Sequence, residues 1–97
     1  MKNGYKIVWM DEALQNLSSI IESRWTEKEV RKFSSRLDYV LNHISKRPHL
    51  YPESIKFKGI RKAVIIKPVV LYYRVLTNHV ELLTLFDTRQ NPKKLNL

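Results

Sequence analysis

The sequence predicts an α+β domain: an N-terminal strand, an antiparallel two-helix hairpin, then a three-stranded antiparallel meander, with the helices packed on one face of the sheet. Three observations predict it. Residues 60–87 hold three consecutive runs rich in Val, Ile, Tyr, Thr and Phe, IRKAVII, VVLYYRV and VELLTLFD, the residue types that suit a pleated, half-buried surface. Connections this short allow only antiparallel neighbours, because a parallel crossover needs a dozen or more residues. Before them, two stretches repeat apolar residues at spacings of three and four, the stripe of an amphipathic helix.

Taken in order, Tyr5, Ile7 and Trp9 alternate with Lys6 and Val8, a short strand that needs a sheet edge to join. Asp11 is a favourable N-cap for a helix from about Glu12 to about Ser23, whose stripe is Ala13, Leu14, Leu17, Ile20, Ile21 and Trp25. Thr26-Glu27-Lys28-Glu29 has the form of a capping box, threonine at the cap and glutamate three residues on. Val30, Phe33, Leu37, Val40, Leu41 and Ile44 carry the second stripe, and Pro48 ends that helix near Lys46. So few residues join the two helices that they must run antiparallel. Residues 48–59 form a connection expected to bury Leu50, Tyr51 and Ile55. Strands follow over Ile60–Ile66, Val69–Val75 and Val80–Asp87, with Asn78 suited to a left-handed position in the last turn. Asn91-Pro92 stops the chain, leaving a short basic tail at about 90–97. The 97 residues read as one domain.

Charge is unevenly placed. The net charge is +9; residues 1–45 carry seven basic and six acidic side chains, a net of +1, and residues 46–97 carry eleven and three, a net of +8. A basic sheet half points to an acidic partner surface or a nucleic acid. No cysteine is present, which removes thiolate chemistry and fits a reducing cytoplasm. No run approaches a membrane span. His43, His49 and His79 are not at metal-ligand spacing, so neither a metal nor a cofactor is expected. Glycine occurs only at Gly4 and Gly59, which excludes a glycine-rich phosphate loop. Glu81 and Asp87 are too far apart on one strand for a paired-carboxylate mechanism, and Asp87 reads as a partner of Arg89 or a turn-former.

What remains is a basic constellation, Lys56, Lys58, Arg61, Lys62, Lys67, Arg74, Arg89, Lys93 and Lys94, interleaved with Tyr51, Tyr72 and Tyr73. Such a set can pin phosphates and stack bases, or receive an acidic amphipathic protein segment. In the middle strand Val70, Tyr72 and Arg74 point away from the helices, and that face reads as uncovered until a partner arrives.

The order of elements, and the segments ISKRPHLYPES, KGIRKAVI, VVLYYRV and LLTLFDTRQNP, resemble the RelE/ParE toxin superfamily of bacterial type II toxin–antitoxin systems over nearly the whole chain. The resemblance implies a cytoplasmic, growth-inhibiting toxin of the kind linked to plasmid stabilisation, held in a hetero-oligomer by a cognate acidic antitoxin. RelE-like members cut messenger RNA on the ribosome with basic residues on the second and third strands and basic or aromatic groups after the fourth. ParE-like members inhibit DNA gyrase and lack that set. The nuclease positions fall near Arg61, Ala63, Val70 and Arg89 or Gln90, two of them apolar here, so the resemblance leans to the ParE-like branch. The alternative is a metal-independent messenger endoribonuclease using Arg61, Lys62 and Arg89; a second is a non-toxic basic binding module. The residues expected to meet antitoxin or target are Lys56, Lys58, Arg61, Tyr72, Arg74, Arg89, Lys93 and Lys94.

Overall fold

The computed structural model describes residues 4–23, 25–95 and 97. Strand β1 (Lys6–Trp9) is followed by helices α1 (Asp11–Ile21) and α2 (Glu27–Lys46), then by strands β2 (Arg61–Ile66), β3 (Val69–Val75) and β4 (His79–Asp87) and a short 3-10 turn (Pro92–Lys94). The strands form one sheet in the order β1-β4-β3-β2. Antiparallel pairing joins β2 to β3 and β3 to β4, each with one register shift. The N-terminal strand does lie at an edge, but it pairs parallel with β4, Lys6 opposite His79 and Trp9 opposite Leu82. The sheet is therefore mixed. The two helices supply the long crossover that a parallel arrangement requires.

Both helices cover the same face. Helix α1 follows β4, with Asn16 bonded at Thr84 and Leu85 and Ile20 and Ser23 beside Asp87 and Arg89. Helix α2 starts at that end and returns across the sheet, finishing where Ser45 exchanges hydrogen bonds with Tyr5. The helices thus run in opposite senses, as the short linker demands. At Gly4 an added Cβ would overlap Ser45 Oγ, so the bare backbone lets the chain pass α2 closely.

The capping box of α2 is formed: Glu29 N–H donates to Thr26 Oγ1 at 3.1 Å, and Thr26 N–H donates to Glu29 Oε1 at 2.8 Å. Asp11, in contrast, is the first residue of α1 and not its cap. Met10 takes the cap position because its N–H still pairs with Leu82 O in the sheet while its carbonyl already accepts from Leu14 N–H. Strand passes into helix with no residue to spare. Asn78 is not left-handed, since no non-glycine among the described residues has a positive φ; the hairpin is closed by Leu76 N–H donating to His79 O. Gly59 has φ +81°, a conformation that favours glycine at the entry to β2.

Two apolar clusters flank the sheet. The larger lies under the helices and includes Phe33, Val40, Ile44, Ala63, Ile65, Leu71, Tyr73 and Leu82. The smaller lies on the opposite face, where Val70, Tyr72 and Phe86 meet Phe57 and Ile60 from the connection and Leu95 from the tail. The face expected to await a partner is thus largely closed by the chain itself: Val70 and Tyr72 are 4% and 6% exposed. Leu50 and Ile55, expected beneath the connection, are exposed, while Phe57 and Ile60 turn inward instead. Tyr51 is half-buried against the larger cluster, as expected.

Candidate functional site

Alternation along β2 and β3 sorts the basic residues before any ligand is considered. Successive strand residues point to opposite faces, so Arg61 and Lys62 cannot share one. Lys62 faces the smaller cluster and borders a groove of about 580 Å³ lined by Pro52, Phe57, Tyr72, Phe86, Pro92 and Leu95, among others. Its floor is aromatic: the Phe57 and Tyr72 rings meet edge to face at 6.1 Å. Burial raises the Tyr72 phenol above its ordinary pKa. Lys56 Nζ lies 5.4 Å from the Phe57 ring centre, so its charge sits on the groove wall. Lys93 and Lys94 stand exposed on the 3-10 turn between Pro92 and Leu95. Asn91 Oδ1 caps that turn by accepting from Lys93 N–H at 3.0 Å. Lys58 is exposed on the connection and does not line this groove. A shallower depression of about 250 Å³ continues from Lys62 past Val64 and Val70 to Lys67 and Thr88.

The three arginines lie elsewhere, each with a partner. Arg61 Nη1 donates to Tyr51 O at 2.7 Å and to His49 O at 3.4 Å, pinning the connection to the start of β2. Arg74 Nε donates to Glu81 Oε1 at 3.1 Å. Hydrogen bonds from Arg74 and then His79 hold the Glu81 carboxyl below its ordinary pKa. Arg89 forms a fork on Asp87, Nε to Oδ1 at 3.0 Å and Nη2 to Oδ2 at 2.7 Å, and its backbone N–H also donates to Oδ1. Asp87 is therefore both ion-pair partner and turn-former. Arg61 pairs with Tyr73 across the β2–β3 ladder, while Asp87 pairs with Val69. Four residues of strand, about 13 Å, separate those levels. Among the sequence-based candidates, the structure brings Lys56 and Lys62 to one groove, with Tyr72 as its floor and not as an exposed platform; Lys93 and Lys94 lie on the turn whose Pro92 and Leu95 line it, but do not line it themselves. The structure does not bring Arg61, Lys62 and Arg89 together. The groove walls Phe57 and Leu95 went unnoticed in the sequence, where the one signal for them was an apolar residue inside an otherwise polar segment; Phe86 lies within β4, opposite Val70.

The Asp87–Arg89 fork carries a pH dependence of definite sign. Its hydrogen bonds hold the Asp87 carboxyl below the usual carboxylate range. The folded state therefore binds this proton less readily than the unfolded chain. The resulting stabilisation is full above the ordinary carboxylate pKa of about 4 and is lost as pH falls through the lowered value. Asp87→Asn should lower the melting temperature at neutral pH and make little difference in strong acid. An equal loss at both would mean that packing and not charge holds Asp87.

No protein-family model matches the chain, and no curated protein matches it by sequence. Solved structures do share its fold. A chromosomal ParDE toxin–antitoxin system from P. aeruginosa superposes with a TM-score of 0.66 at 11% identity, covering 89% of this chain and 98% of that one. A copper-bound mutant toxin from Helicobacter pylori gives 0.67 at 20% identity, over 88% and 96%. The E. coli DinJ–YafQ toxin–antitoxin complex gives 0.66 at 11% identity, over 89% and 94%. The chain thus has the fold of the RelE/ParE-like toxins of type II toxin–antitoxin systems. Fold similarity spans this chain and its neighbours almost end to end, while activity has to be argued from the side chains.

Proposed function

We propose that the chain is the toxin of a type II toxin–antitoxin pair, of the ParE-like kind acting on DNA gyrase, and that an acidic antitoxin segment docks on the groove bordered by Lys56 and Lys62. One observation carries the choice of branch. At the positions where a messenger nuclease of this fold needs cations, the chain has Ala63 and Val70, 1% and 4% exposed. Arg61 is tied to backbone carbonyls and Arg89 to Asp87. Buried aliphatic side chains cannot stabilise the charge of a phosphorane. The nearly end-to-end superposition on chains from both toxin–antitoxin systems supports the broader assignment. Antitoxin capture fits the groove's combination of an apolar floor and a cationic rim: a disordered acidic segment would fold there, with its apolar residues against Phe57, Phe86 and Leu95.

The test uses expression of this chain in bacteria, alone and with the small acidic protein expected from the adjacent reading frame. Growth arrest should occur in the first case and be relieved in the second. Lys56→Glu with Lys62→Glu should weaken the complex by about a hundredfold, roughly 2.8 kcal/mol at low salt, while the variant still folds, because both side chains are exposed. An unchanged affinity would place the antitoxin on another surface.

A further inference from the structure

Beyond the shallower depression, past Lys67 and Pro68, a second cationic cleft is left over. It lies where the start of α2 meets the β2–β3 turn and the end of β4. Trp25, Glu29, Lys32, Ile66, Lys67, Pro68 and Arg89 line about 310 Å³ of it. Beyond the Arg89 side chain it continues into a neighbouring depression of about 400 Å³, where Trp25 and Arg89 are joined by Ser19, Ser23 and Gln90. Three different segments of the chain thus send Lys32, Lys67 and Arg89 to one place.

The charges there are only partly cancelled. Glu29 is the one acid of the first depression, and its Oε1 already accepts from Thr26 N–H in the capping box. Asp87 borders only the second depression, where it holds Arg89 through Nε and Nη2. That fork fixes the guanidinium plane and leaves Nη1 without a hydrogen bond among the described residues. Lys32 and Lys67 have no ion pair among the described residues either, and both are exposed. The aromatic wall is fixed too. Trp25 is half-buried, and its ring meets Phe33 edge to face at 5.5 Å and 75°. Phe33 is itself wholly buried. A flat ring laid against Trp25 would therefore meet a side chain braced by the buried Phe33, and a phosphate beside it would meet Arg89 with two lysines.

We infer that this cleft binds a nucleoside di- or triphosphate, with its phosphates among Lys32, Lys67 and Arg89 and its base against Trp25. Arginine with outward N–H groups recognises phosphate oxygens directionally, and lysines add point charge. Stacking of a base on an aromatic side chain contributes independently of sequence. This ligand is distinct from the antitoxin and from any target of the groove, so it would regulate or report on the protein and need not be turned over.

The test is a titration of the full chain with ADP, followed by the indole N–H resonance of Trp25, assigned through Trp25→Phe. That resonance should move with a dissociation constant below about 1 mM, and Trp9, which packs in the large cluster, should not. Adenosine alone and pyrophosphate alone should each bind at least about tenfold more weakly, because each uses one half of the cleft. Lys32→Glu with Lys67→Glu should weaken ADP binding by at least about tenfold. Lys6→Glu with Lys46→Glu, an equal charge change on exposed residues outside the cleft, should leave the affinity within about twofold at moderate salt. Three results would overturn the assignment: no movement of Trp25, equal weakening by the two charge reversals, or a single-stranded oligonucleotide binding as tightly per site with ADP unable to compete.

Discussion

Tyr73→Ala is expected to cost about 3–5 kcal/mol, enough to unfold most of a domain this size under mild conditions. Tyr73 sits at the centre of β3, is wholly buried, and packs in the cluster beneath the helices. Its hydroxyl donates to Pro48 O at 2.8 Å, the join between α2 and the connection that walls the groove. The residue therefore supports the large core and anchors the loop bearing Lys56 and Phe57. Tyr73→Phe keeps the ring and removes only that bond, so it should cost about 1 kcal/mol, with Pro48 O left unpaired. Burial pushes the Tyr73 phenol up to about 12, an effect only partly offset by the nearby Arg61 charge. An unfolded tyrosine ionises near 10, so the folded state holds this proton longer. Its stabilising contribution is full below about pH 10 and is lost as pH rises towards about 12. Chemical denaturation across that alkaline range should show a steep fall for the wild type and a shallower one for Tyr73→Phe. Identical slopes would show that other groups govern alkaline unfolding.

The part of this fold that is local in sequence was legible in it. Thr26 and Glu29 announce the capping box because both partners lie within one turn, and the stripe from Phe33 to Ile44 places α2 on a core. The β2–β3–β4 neighbours follow from connections only a few residues long. What the sequence does not carry is non-local. Nothing in Tyr5 to Trp9 says that this strand lies beside β4 and runs parallel to it; that follows only once the helices have crossed the sheet. Asp11 looks like a cap until Met10 proves to be shared between the β1–β4 ladder and the first helical turn. The connection misled for the same reason. Ile55 and Phe57 are both apolar, and it is Phe57 that turns inward, against a cluster that includes Tyr72 and a tail residue nearly forty positions away, Leu95.

The candidate site divides along the same line. The sequence identified a basic surface, and strand alternation alone places Arg61 and Lys62 on opposite faces. It could not show that each arginine is already engaged, Arg61 by carbonyls of the connection, Arg74 by Glu81 and Arg89 by Asp87. At the groove the charges free to meet a partner are therefore lysines, while Arg61 and Arg74 hold local geometry and Arg89 keeps Nη1 unbonded among the described residues. Tyr72 changes role on the same evidence, from exposed platform to groove floor.

The branch assignment rests on the dispersal of Arg61, Lys62 and Arg89 and on the burial of Ala63 and Val70. It is tested most directly by giving the purified protein two substrates in parallel: translating ribosomes carrying a defined messenger, and purified gyrase with relaxed plasmid. The messenger should stay intact and supercoiling should slow in proportion to protein added, with both results unchanged in Arg61→Lys apart from any loss of stability. Messenger cut reproducibly at A-site codons, with supercoiling unaffected, would contradict the branch assignment.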